Sequence, residues 1–350
     1  MAGRSVKLRD TLIIGGGFPV SIQTMWKEPL GPHDAEPGSA ALARITRLAA
    51  LGCDVLRFAA PDLAQAEILG ALAALTGMPL VADIHFDWRI ALRCLDFPIA
   101  KIRINPGNIG ERWKVAEVAA KASDKGVPIR IGVNAGSLPA DLRSRSDRAA
   151  AVVQAAEREV AVFEELGFSD LVVSMKVSDP DETVAANELF ASRHDIPLHL
   201  GVTEAGPLIA GVARNTAALV PLLKKGIGDT IRVSLSDSME NEVIAAREIL
   251  SCAGARKSGA TIVSCPRCGR ASFDTHAFAA RWSEKLYALG KTATIAAMGC
   301  VVNGPGEARH ADLGITGAGD KVVIFRKGQI ARTIAPEEAD IVFQEELEKL

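Results

Sequence analysis

Short apolar runs rich in Val, Ile and Leu recur along the first two thirds of the chain, and each is followed by a segment with helical periodicity. Eight such runs predict strands at 20–25, 55–60, 79–85, 100–105, 129–133, 171–177, 198–204 and 229–235. The segments between them predict helices at 39–50, 63–75, 112–125, 148–166, 180–193 and 215–225, with the weakest pattern at 89–96. Runs that are apolar on both faces are typical of parallel strands covered by helices. The eightfold alternation predicts an α/β protein built on a (β/α)8 barrel of the TIM type.

A doubly wound open sheet is the alternative architecture for such an alternation. No Gly-x-Gly-x-x-Gly sequence follows an early strand, so the pattern does not favour it. The glycines at 15–17 precede the first predicted strand, which indicates a turn rather than a nucleotide-binding loop.

The pattern changes after the eighth strand. A helix at 239–251 leads away from the barrel, a Gly-, Ser- and Lys-containing linker follows at 254–259, and residues 260–350 form a second, smaller α/β domain. We therefore predict a barrel domain over 1–253. In the second domain the predicted elements are strands at 261–263 and 294–298, a helix at 274–289, a hairpin at 322–325 and 330–334, and a terminal helix at 336–349.

Composition and charge narrow the function classes. Hydrophobic residues make up 48% of the chain, which supports a large core, and the mean hydropathy is +0.18. A net charge of −2 gives no argument for a nucleic-acid or membrane partner. The first residues lack an apolar targeting segment, no apolar run reaches membrane-spanning length, and the six Cys lack a secreted-scaffold pattern. We expect a cytoplasmic protein with no nucleic-acid or membrane partner.

Polar and charged side chains stand at the carboxyl ends of the predicted strands, where barrel enzymes build their active sites. Five of them are the cations Arg57, Arg103, Arg130, Lys176 and Arg232. Convergent guanidinium groups favour phosphate or carboxylate groups, so this pattern predicts a small, multiply anionic substrate. For any single cation a salt bridge across the barrel mouth is the alternative, but the acids available there, Asp83, Asp87 and Glu204, are too few to neutralise all five. The same strand ends also carry His85, Asn105, Asn134 and Ser234.

Two cysteine-bearing segments mark the second domain: CPRCG at 265–269 and GCVVNGPGE at 299–307. A Cys-x-x-Cys turn places two thiolates at the spacing that a metal or an iron–sulfur cluster requires. Cys300 supplies a third sulfur and Glu307 a carboxylate, which would be a hard, exchangeable fourth ligand. A zinc site completed by His276 or His310 and a redox dithiol are the alternatives. The remaining cysteines, Cys53, Cys94 and Cys252, are predicted to be small buried apolar groups.

Seven segments resemble the bacterial 4-hydroxy-3-methylbut-2-enyl diphosphate synthase family of the non-mevalonate isoprenoid pathway. They are VADIHFDWRIAL (81–92), KIRINPGNIG (101–110), IRIGVNAGSL (129–138), LHLGVTEAG (198–206), GIGDTIRVSL (226–235), SCPRCGR (264–270) and MGCVVNGPGEA (298–308). The resemblance implies reductive ring opening of 2-C-methyl-D-erythritol 2,4-cyclodiphosphate with two electrons and loss of water, giving (E)-4-hydroxy-3-methylbut-2-enyl diphosphate. It implies a [4Fe–4S] cluster on Cys265, Cys268, Cys300 and Glu307, with flavodoxin or ferredoxin as the electron donor.

The resemblance also implies roles for individual residues of the barrel. Glu204 is the expected proton donor to the leaving hydroxyl, and Glu307 is expected to leave the unique iron so that a substrate oxygen can bind there. The expected substrate-binding residues are Arg57, Asp83, Arg103, Asn105, Arg130, Asn134, Lys176, Arg232 and Ser234. The segment WKEPL at 26–30 departs from the family pattern at one lip of the barrel, and no site residue is assigned there.

The geometry of the predicted barrel leads us to expect a homodimer. The predicted eighth helix runs antiparallel to its strand over roughly 20 Å. It therefore delivers the second domain to the end of the barrel opposite the strand carboxyl ends. A head-to-tail dimer, in which each second domain covers the partner's barrel, would bring cluster and anion site together.

Overall fold

The computed structural model describes residues 3–9, 11–134, 136, 138–257 and 259–350, including the side chains of all of these except 305 and 307. The chain divides into two compact units, Met1–Arg256 and Lys257–Leu350.

The first unit is the predicted (β/α)8 barrel. Its eight parallel strands are β3 (Ser21–Met25), β4 (Val55–Ala59), β5 (Leu80–Asp83), β6 (Lys101–Ile104), β7 (Ile129–Asn134), β8 (Leu171–Lys176), β9 (His199–Leu200) and β10 (Thr230–Ile231). Each strand pairs with the next in chain order from β3 to β8, while β10 pairs with both β3 and β9. A parallel bridge between Val173 and Leu198 closes the ring. The prediction of a TIM-type barrel is confirmed.

Helices connect the strands on the outside of the barrel. They are α1 (Ala40–Leu51), α2 (Leu63–Leu75), α3 (Trp88–Cys94), α4 (Pro106–Ile109), α5 (Arg112–Lys125), α6 (Ala140–Arg143), α7 (Arg148–Glu165), α8 (Pro180–Ala191), α9 (Leu208–Lys224) and α10 (Met239–Ala253). Side-chain caps fix several starts: Asp147 accepts from the Ala150 amide and Asp179 from the Glu182 amide. Helix α9 begins at Leu208, earlier than predicted, with Pro207 at its N-cap position.

An N-terminal hairpin, absent from the sequence prediction, lies below the barrel. Strands β1 (Ser5–Leu8) and β2 (Leu12–Gly15) pair antiparallel, and Val6, Leu8 and Ile14 join a buried cluster with Val55, Val81 and Val172. These three barrel valines precede Arg57, Asp83 and Ser174 by two positions, so they face the same interior. The hairpin therefore closes the end of the barrel opposite the strand carboxyl ends with apolar side chains.

The second unit is a five-stranded sheet with two helices. Its strands follow in spatial order as β11 (Ala260–Ser264), β12 (Ala293–Met298), β13 (Leu313–Ala318), β14 (Lys321–Arg326) and β15 (Gln329–Ile334). The first three run parallel and the last three antiparallel. Helices α11 (Thr275–Tyr287) and α12 (Ala339–Glu348) bury Phe278, Trp282 and Phe343 together, with Phe278 and Trp282 each edge-on to Phe343 at 4.9 Å between centroids. This aromatic cluster is the centre of the unit's core.

Across the part of the chain that the structure describes, no helix combines the length and apolarity needed to cross a bilayer.

Candidate active site and metal centre

A polar cavity of about 190 Å³ opens at the carboxyl ends of the barrel strands. Seven of the residues predicted from the sequence line it: Arg57, Arg103, Arg130, Asn134, Lys176, Arg232 and Ser234. Gly132, Ser174 and Thr203 complete the wall and were not predicted. The five predicted cations therefore do converge on one small space.

Asp83 is the carboxylate around which part of this wall is arranged. Its side chain is fully buried and accepts hydrogen bonds from Arg57 Nη2 (2.6 Å), Arg103 Nη1 (3.2 Å) and His85 Nε2 (3.1 Å). Burial alone would raise the pKa of Asp83, but the Arg57 cation, the His85 hydrogen bond and the Arg103 cation together hold it well below its ordinary value. Asp83 lies behind the cavity wall and orients two of its guanidinium groups.

Two glycines make room for the cations. A Cβ on Gly132 would stand 2.6 Å from Arg103 Nε, and the Gly132 carbonyl accepts a hydrogen bond from Arg103 Nη2 at 3.1 Å. A Cβ on Gly201 would stand 2.9 Å from Lys176 Nζ. A side chain at either position would displace a cation from the cavity.

Several buried donors in this wall have no hydrogen-bond partner among the described residues. They are Arg57 Nε, Arg130 Nε and Nη2, and Arg232 Nε. Burial lowers the pKa of Arg130 and of Lys176, and the neighbouring cations lower both further. Unsatisfied buried donors in a field of positive charge are what an anionic ligand would satisfy.

Glu242, on the inner face of α10, was not predicted as a site residue. Its carboxylate is fully buried and accepts hydrogen bonds from Thr24 Oγ1 (2.5 Å) and the Leu235 amide (3.0 Å). It also pairs with Lys27 Nζ at 3.1 Å and Arg232 Nη2 at 3.7 Å. Glu242 thus ties the first barrel loop to the end of the last strand. The only sequence signal was an acid on the inward face of an amphipathic helix.

Asn105 and Glu204 do not line the cavity. Asn105 is buried, and its Oδ1 caps α4 by accepting from the Gly107 amide at 3.1 Å. Glu204 is exposed and follows Thr203, which does line the cavity. Glu204 also has a φ of 53°, a left-handed conformation that few non-glycine residues adopt. Such strain is concentrated at functional positions in proteins.

The cysteine segments meet at the ends of two adjacent strands in the second unit. Cys265 directly follows β11 and Cys300 lies two residues after β12, and these strands are parallel neighbours with Ser264 opposite Ala297. The Gly299 amide donates to Cys265 Sγ at 3.1 Å, and a Cβ on Gly299 would stand 3.3 Å from that sulfur. Cys265 and Cys300 therefore both lie at the carboxyl ends of neighbouring parallel strands.

The backbone around these strand ends stabilises the deprotonated form of the cysteines. Hydrogen bonds from the Asn303 amide, and then from the Val302 amide and Arg270, lower the pKa of Cys300. Between Cys265 and Cys268 the chain turns at Arg267, whose φ is 68°. Amide hydrogen bonds to sulfur and a tight Cys-x-x-Cys turn are features of iron–sulfur ligation. The donor set therefore fits a thiolate-bound metal centre.

The fourth predicted ligand, the side chain of Glu307, lies outside the described residues, in the π-helical turn Val302–Glu307. Within the described residues, no three His, Cys, Asp or Glu side chains are close enough together to hold one metal ion. All six cysteines are free. Cys53 and Cys94 are buried, as predicted, but the prediction for Cys252 was wrong, because this residue is exposed at the end of α10.

Comparison with known proteins covers nearly the whole chain. Residues 3–247 match the family model described as the GcpE TIM-barrel domain, and residues 261–349 match the GcpE protein C-terminal domain. A relative from Treponema pallidum is 54% identical over 360 residues, covering 97% of this chain and 88% of its own. One from Geobacter sulfurreducens is 44% identical over 339 residues, covering 96% and 95%. Both are named 4-hydroxy-3-methylbut-2-en-1-yl diphosphate synthase (flavodoxin).

Solved structures agree on the barrel alone. A dihydropteroate synthase from Xanthomonas albilineans superimposes with a TM-score of 0.51 at 14% identity, covering 72% of this chain and 98% of its own. At that identity the likeness concerns the fold and carries no information on the reaction.

Proposed function

The chain belongs to the GcpE family, and on this premise we propose that it is a 4-hydroxy-3-methylbut-2-en-1-yl diphosphate synthase. It takes 2-C-methyl-D-erythritol 2,4-cyclodiphosphate, adds two electrons and two protons, breaks one ring C–O bond and one C–OH bond, and releases (E)-4-hydroxy-3-methylbut-2-enyl diphosphate and water. The observation that carries this function is the cavity at the barrel mouth, where five cations converge and buried donors lack partners.

The charge of the cavity suits a cyclic diphosphate. Two buried carboxylates, Asp83 and Glu242, contact its cations, so the wall retains an excess of positive charge. Each phosphate of the substrate carries one negative charge, which offsets most of that excess. We assign diphosphate binding to Arg57, Arg103, Arg130, Lys176 and Arg232, with Asn134 and Ser234 as neutral donors and Asp83 as the group that orients Arg57 and Arg103. Asn105 lies outside the cavity wall and is assigned to the cap of α4.

The relatives' family consists of iron–sulfur enzymes, and we assign a [4Fe–4S] cluster to Cys265, Cys268, Cys300 and Glu307. Three thiolates and one carboxylate leave one iron with a replaceable ligand. When bound, such a cluster supplies single electrons and a Lewis-acid position. The protein's own contribution is to present two thiols at adjacent strand ends and to stabilise the Cys300 thiolate with backbone amides.

We assign proton donation to Glu204. Loss of the hydroxyl as water requires an acid close to the leaving oxygen. Glu204 stands next to a residue of the cavity wall, and its left-handed backbone is held at the start of the loop before α9. Its carboxyl group is exposed to solvent beside the cavity wall.

For the electron donor we propose flavodoxin, which the relatives' names contain, with ferredoxin as the alternative single-electron carrier. We propose that the enzyme acts in the cytoplasm. Because the cation cavity and the cysteines belong to different units, a cluster has to reach a cavity in each turnover. We propose a head-to-tail homodimer in which the partner's cluster does so.

Mixing two inactive variants tests the dimer. Arg130→Ala should prevent productive substrate binding in the barrel, and Cys300→Ser should remove a ligand of the cluster. If clusters act on the partner's barrel, a re-equilibrated equimolar mixture regains roughly a quarter of wild-type activity, because half the dimers contain one intact pair of sites. If each chain uses its own cluster, the mixture stays inactive, which would refute the dimer assignment.

The function itself is tested by anaerobic reconstitution followed by iron and sulfide analysis and turnover with reduced flavodoxin. The expected protein is brown, contains about four iron and four sulfide per chain, and converts the cyclodiphosphate to the hydroxybutenyl diphosphate. A colourless protein with one zinc per chain and no turnover would contradict the proposal. It would instead support a barrel enzyme for a phosphorylated ligand with a structural zinc unit.

A further inference from the structure

Lys27 lies in the segment WKEPL at 26–30, which follows β3 and departs from the family pattern. Its Nζ donates to the carbonyl of Leu235 at 2.9 Å and to the carbonyl of Asp237. It also pairs with Glu242 Oε1 at 3.1 Å. Through this one side chain, the first loop at the barrel mouth contacts both the segment that follows β10 and the buried acid of α10.

The segment that follows β10 carries two residues of the cavity wall, Arg232 and Ser234. The backbone pairing between β10 and β3 covers two residue pairs and ends before Arg232. Beyond that point, side chains hold the segment at Leu235. Glu242 Oε1 accepts from the Leu235 amide at 3.0 Å, and Lys27 Nζ donates to the Leu235 carbonyl. Glu242 and Lys27 therefore stand where a strand ladder would otherwise continue.

Glu242 is the negative charge beside this part of the cavity. Its carboxylate is fully buried, and Oε1 lies 3.1 Å from Lys27 Nζ and 3.7 Å from Arg232 Nη2. The same charge acts on Lys176, another cation of the wall. Of the two cations paired with Glu242, Lys27 is the nearer, and it does not line the cavity.

A buried carboxylate requires a counter-charge close to it. While Lys27 supplies that charge from outside the cavity, the guanidinium of Arg232 remains available to an anion within it. Without Lys27, the Glu242 charge would be compensated by Arg232 and Lys176 alone. The positive potential acting on a bound diphosphate would then be lower.

We propose that Lys27 is a positioning residue of the substrate site, which neutralises Glu242 and thereby keeps Arg232 available to the diphosphate. This inference rests on the proposed function. Lys27 acts through Glu242 and not by contact with the substrate, so it contributes to affinity and not to the chemical step. Its contribution therefore depends on the charge of Glu242.

A double-mutant cycle tests this dependence. The full-length, anaerobically reconstituted protein is titrated with the cyclodiphosphate by isothermal titration calorimetry, without reductant, so that binding is measured without turnover. Lys27→Met removes the charge at similar side-chain length and should weaken binding about tenfold, because one uncompensated carboxylate charge then opposes the anion. In the Glu242→Gln background, the same Lys27→Met change should alter the affinity by less than about twofold.

Two further variants separate charge from shape. Lys27→Arg keeps the charge and should bind the cyclodiphosphate within about threefold of the wild type. Lys121→Met is the matched control, because the Lys121 side chain is also 28% exposed and pairs with Asp96 at 2.6 Å on the outside of the barrel. This control should leave the affinity unchanged.

Turnover with reduced flavodoxin gives an independent readout. Lys27→Met should raise KM and leave kcat within about twofold of the wild type, as expected for the loss of uniform binding. Urea unfolding establishes that each variant is folded before it is titrated. If Lys27→Met does not fold, Lys27→Gln takes its place, since it keeps a donor for the Leu235 carbonyl without the charge, and the same loss of affinity is expected.

Four outcomes would overturn the inference. They are wild-type affinity in Lys27→Met, an equal loss in the wild-type and Glu242→Gln backgrounds, a loss in Lys27→Arg as large as in Lys27→Met, and a fall in kcat with an unaltered KM. The second and third would assign Lys27 to holding the loop by its shape. Absence of cyclodiphosphate binding by the wild type would instead overturn the proposed function, and this inference with it. Because the wild type is titrated first, the two failures are distinguishable.

Discussion

Replacing Asp83 by Asn tests whether the cavity wall depends on one buried charge. The substitution preserves shape but removes the negative charge that Arg57, Arg103 and His85 share at 2.6, 3.2 and 3.1 Å. Two buried guanidinium groups then lose their counter-charge. Breaking a buried ion pair from one side costs about 3–5 kcal/mol. We expect the free energy of unfolding of the barrel unit to fall by about 3 kcal/mol.

Urea unfolding under anaerobic conditions measures this loss. With a slope near 3 kcal/mol per molar for a unit of this size, the midpoint should fall by about 1 M. Asp87→Asn is the matched control, because Asp87 pairs with Arg89 at 2.8 Å but both side chains are solvent-accessible. Asn also caps a helix about as well as Asp. The control should therefore change stability by less than about 1 kcal/mol.

Inorganic diphosphate provides a second readout of the same prediction. It should stabilise Asp83→Asn more than the wild type, because the variant offers two guanidinium groups without a counter-charge. If Asp83→Asn unfolds within about 0.5 kcal/mol of the wild type, the view of Asp83 as the charge that organises the wall is refuted.

The pH dependence has a defined sign. Burial opposes ionisation of Asp83, but Arg57, His85 and Arg103 hold its pKa well below that of an unfolded aspartate. A depressed pKa gives stability that is fully present above the unfolded value, near 3.9, and is lost only as the pH falls through the folded value. The stability difference between wild type and Asp83→Asn should therefore stay constant from pH 8 to about pH 5. A difference that vanishes between pH 7 and pH 5 would contradict this.

Three further substitutions separate the remaining roles. Cys300→Ser should lose most iron and sulfide while the barrel unit unfolds as in the wild type, whereas Cys252→Ser, at an exposed position, should retain both; equal metal content would remove Cys300 from the ligand set. Glu204→Gln should keep the iron and bind substrate normally but lower kcat by about a hundredfold, since general acids contribute at least that much; an unchanged kcat would exclude it as the acid. Glu242→Gln should lower the free energy of unfolding by about 3 kcal/mol, because its fully buried carboxylate is the counter-charge of Lys27 and Arg232; urea unfolding within about 0.5 kcal/mol of the wild type would refute this role.

The barrel and its cation cavity could be predicted because their signals are local. A parallel strand covered on both faces is an apolar run, so a charge such as Arg103 or Arg130 within that run stands out, and the fold brings strand ends together. The Cys-x-x-Cys segment is equally visible, since its spacing alone indicates paired thiols.

Other features depend on contacts between distant segments. Glu242 resembles any helix-surface acid until the fold buries it against Thr24, Lys27 and Arg232. The hairpin β1–β2 is short, and it is stabilised by packing against barrel valines rather than by its own pattern. Strand β13 was missed because Leu313–Ala318 is rich in small residues with weak strand propensity. Asp83 was predicted as a substrate contact, and its placement behind Arg57 and Arg103 could be read only from side-chain positions.

The N-terminal hairpin closes one end of the barrel and leaves the cavity open at the carboxyl ends of the strands. Val6, Leu8 and Ile14 fill the closed end, so the substrate, the organic product and the released water all pass through the same opening. A cluster that covers this opening, as proposed above, must move away before substrate and product can exchange. Each turnover then requires substrate binding, closure of the barrel opening and reopening for product release. A molecule bound permanently over the opening should therefore stop turnover even though the catalytic residues inside are intact.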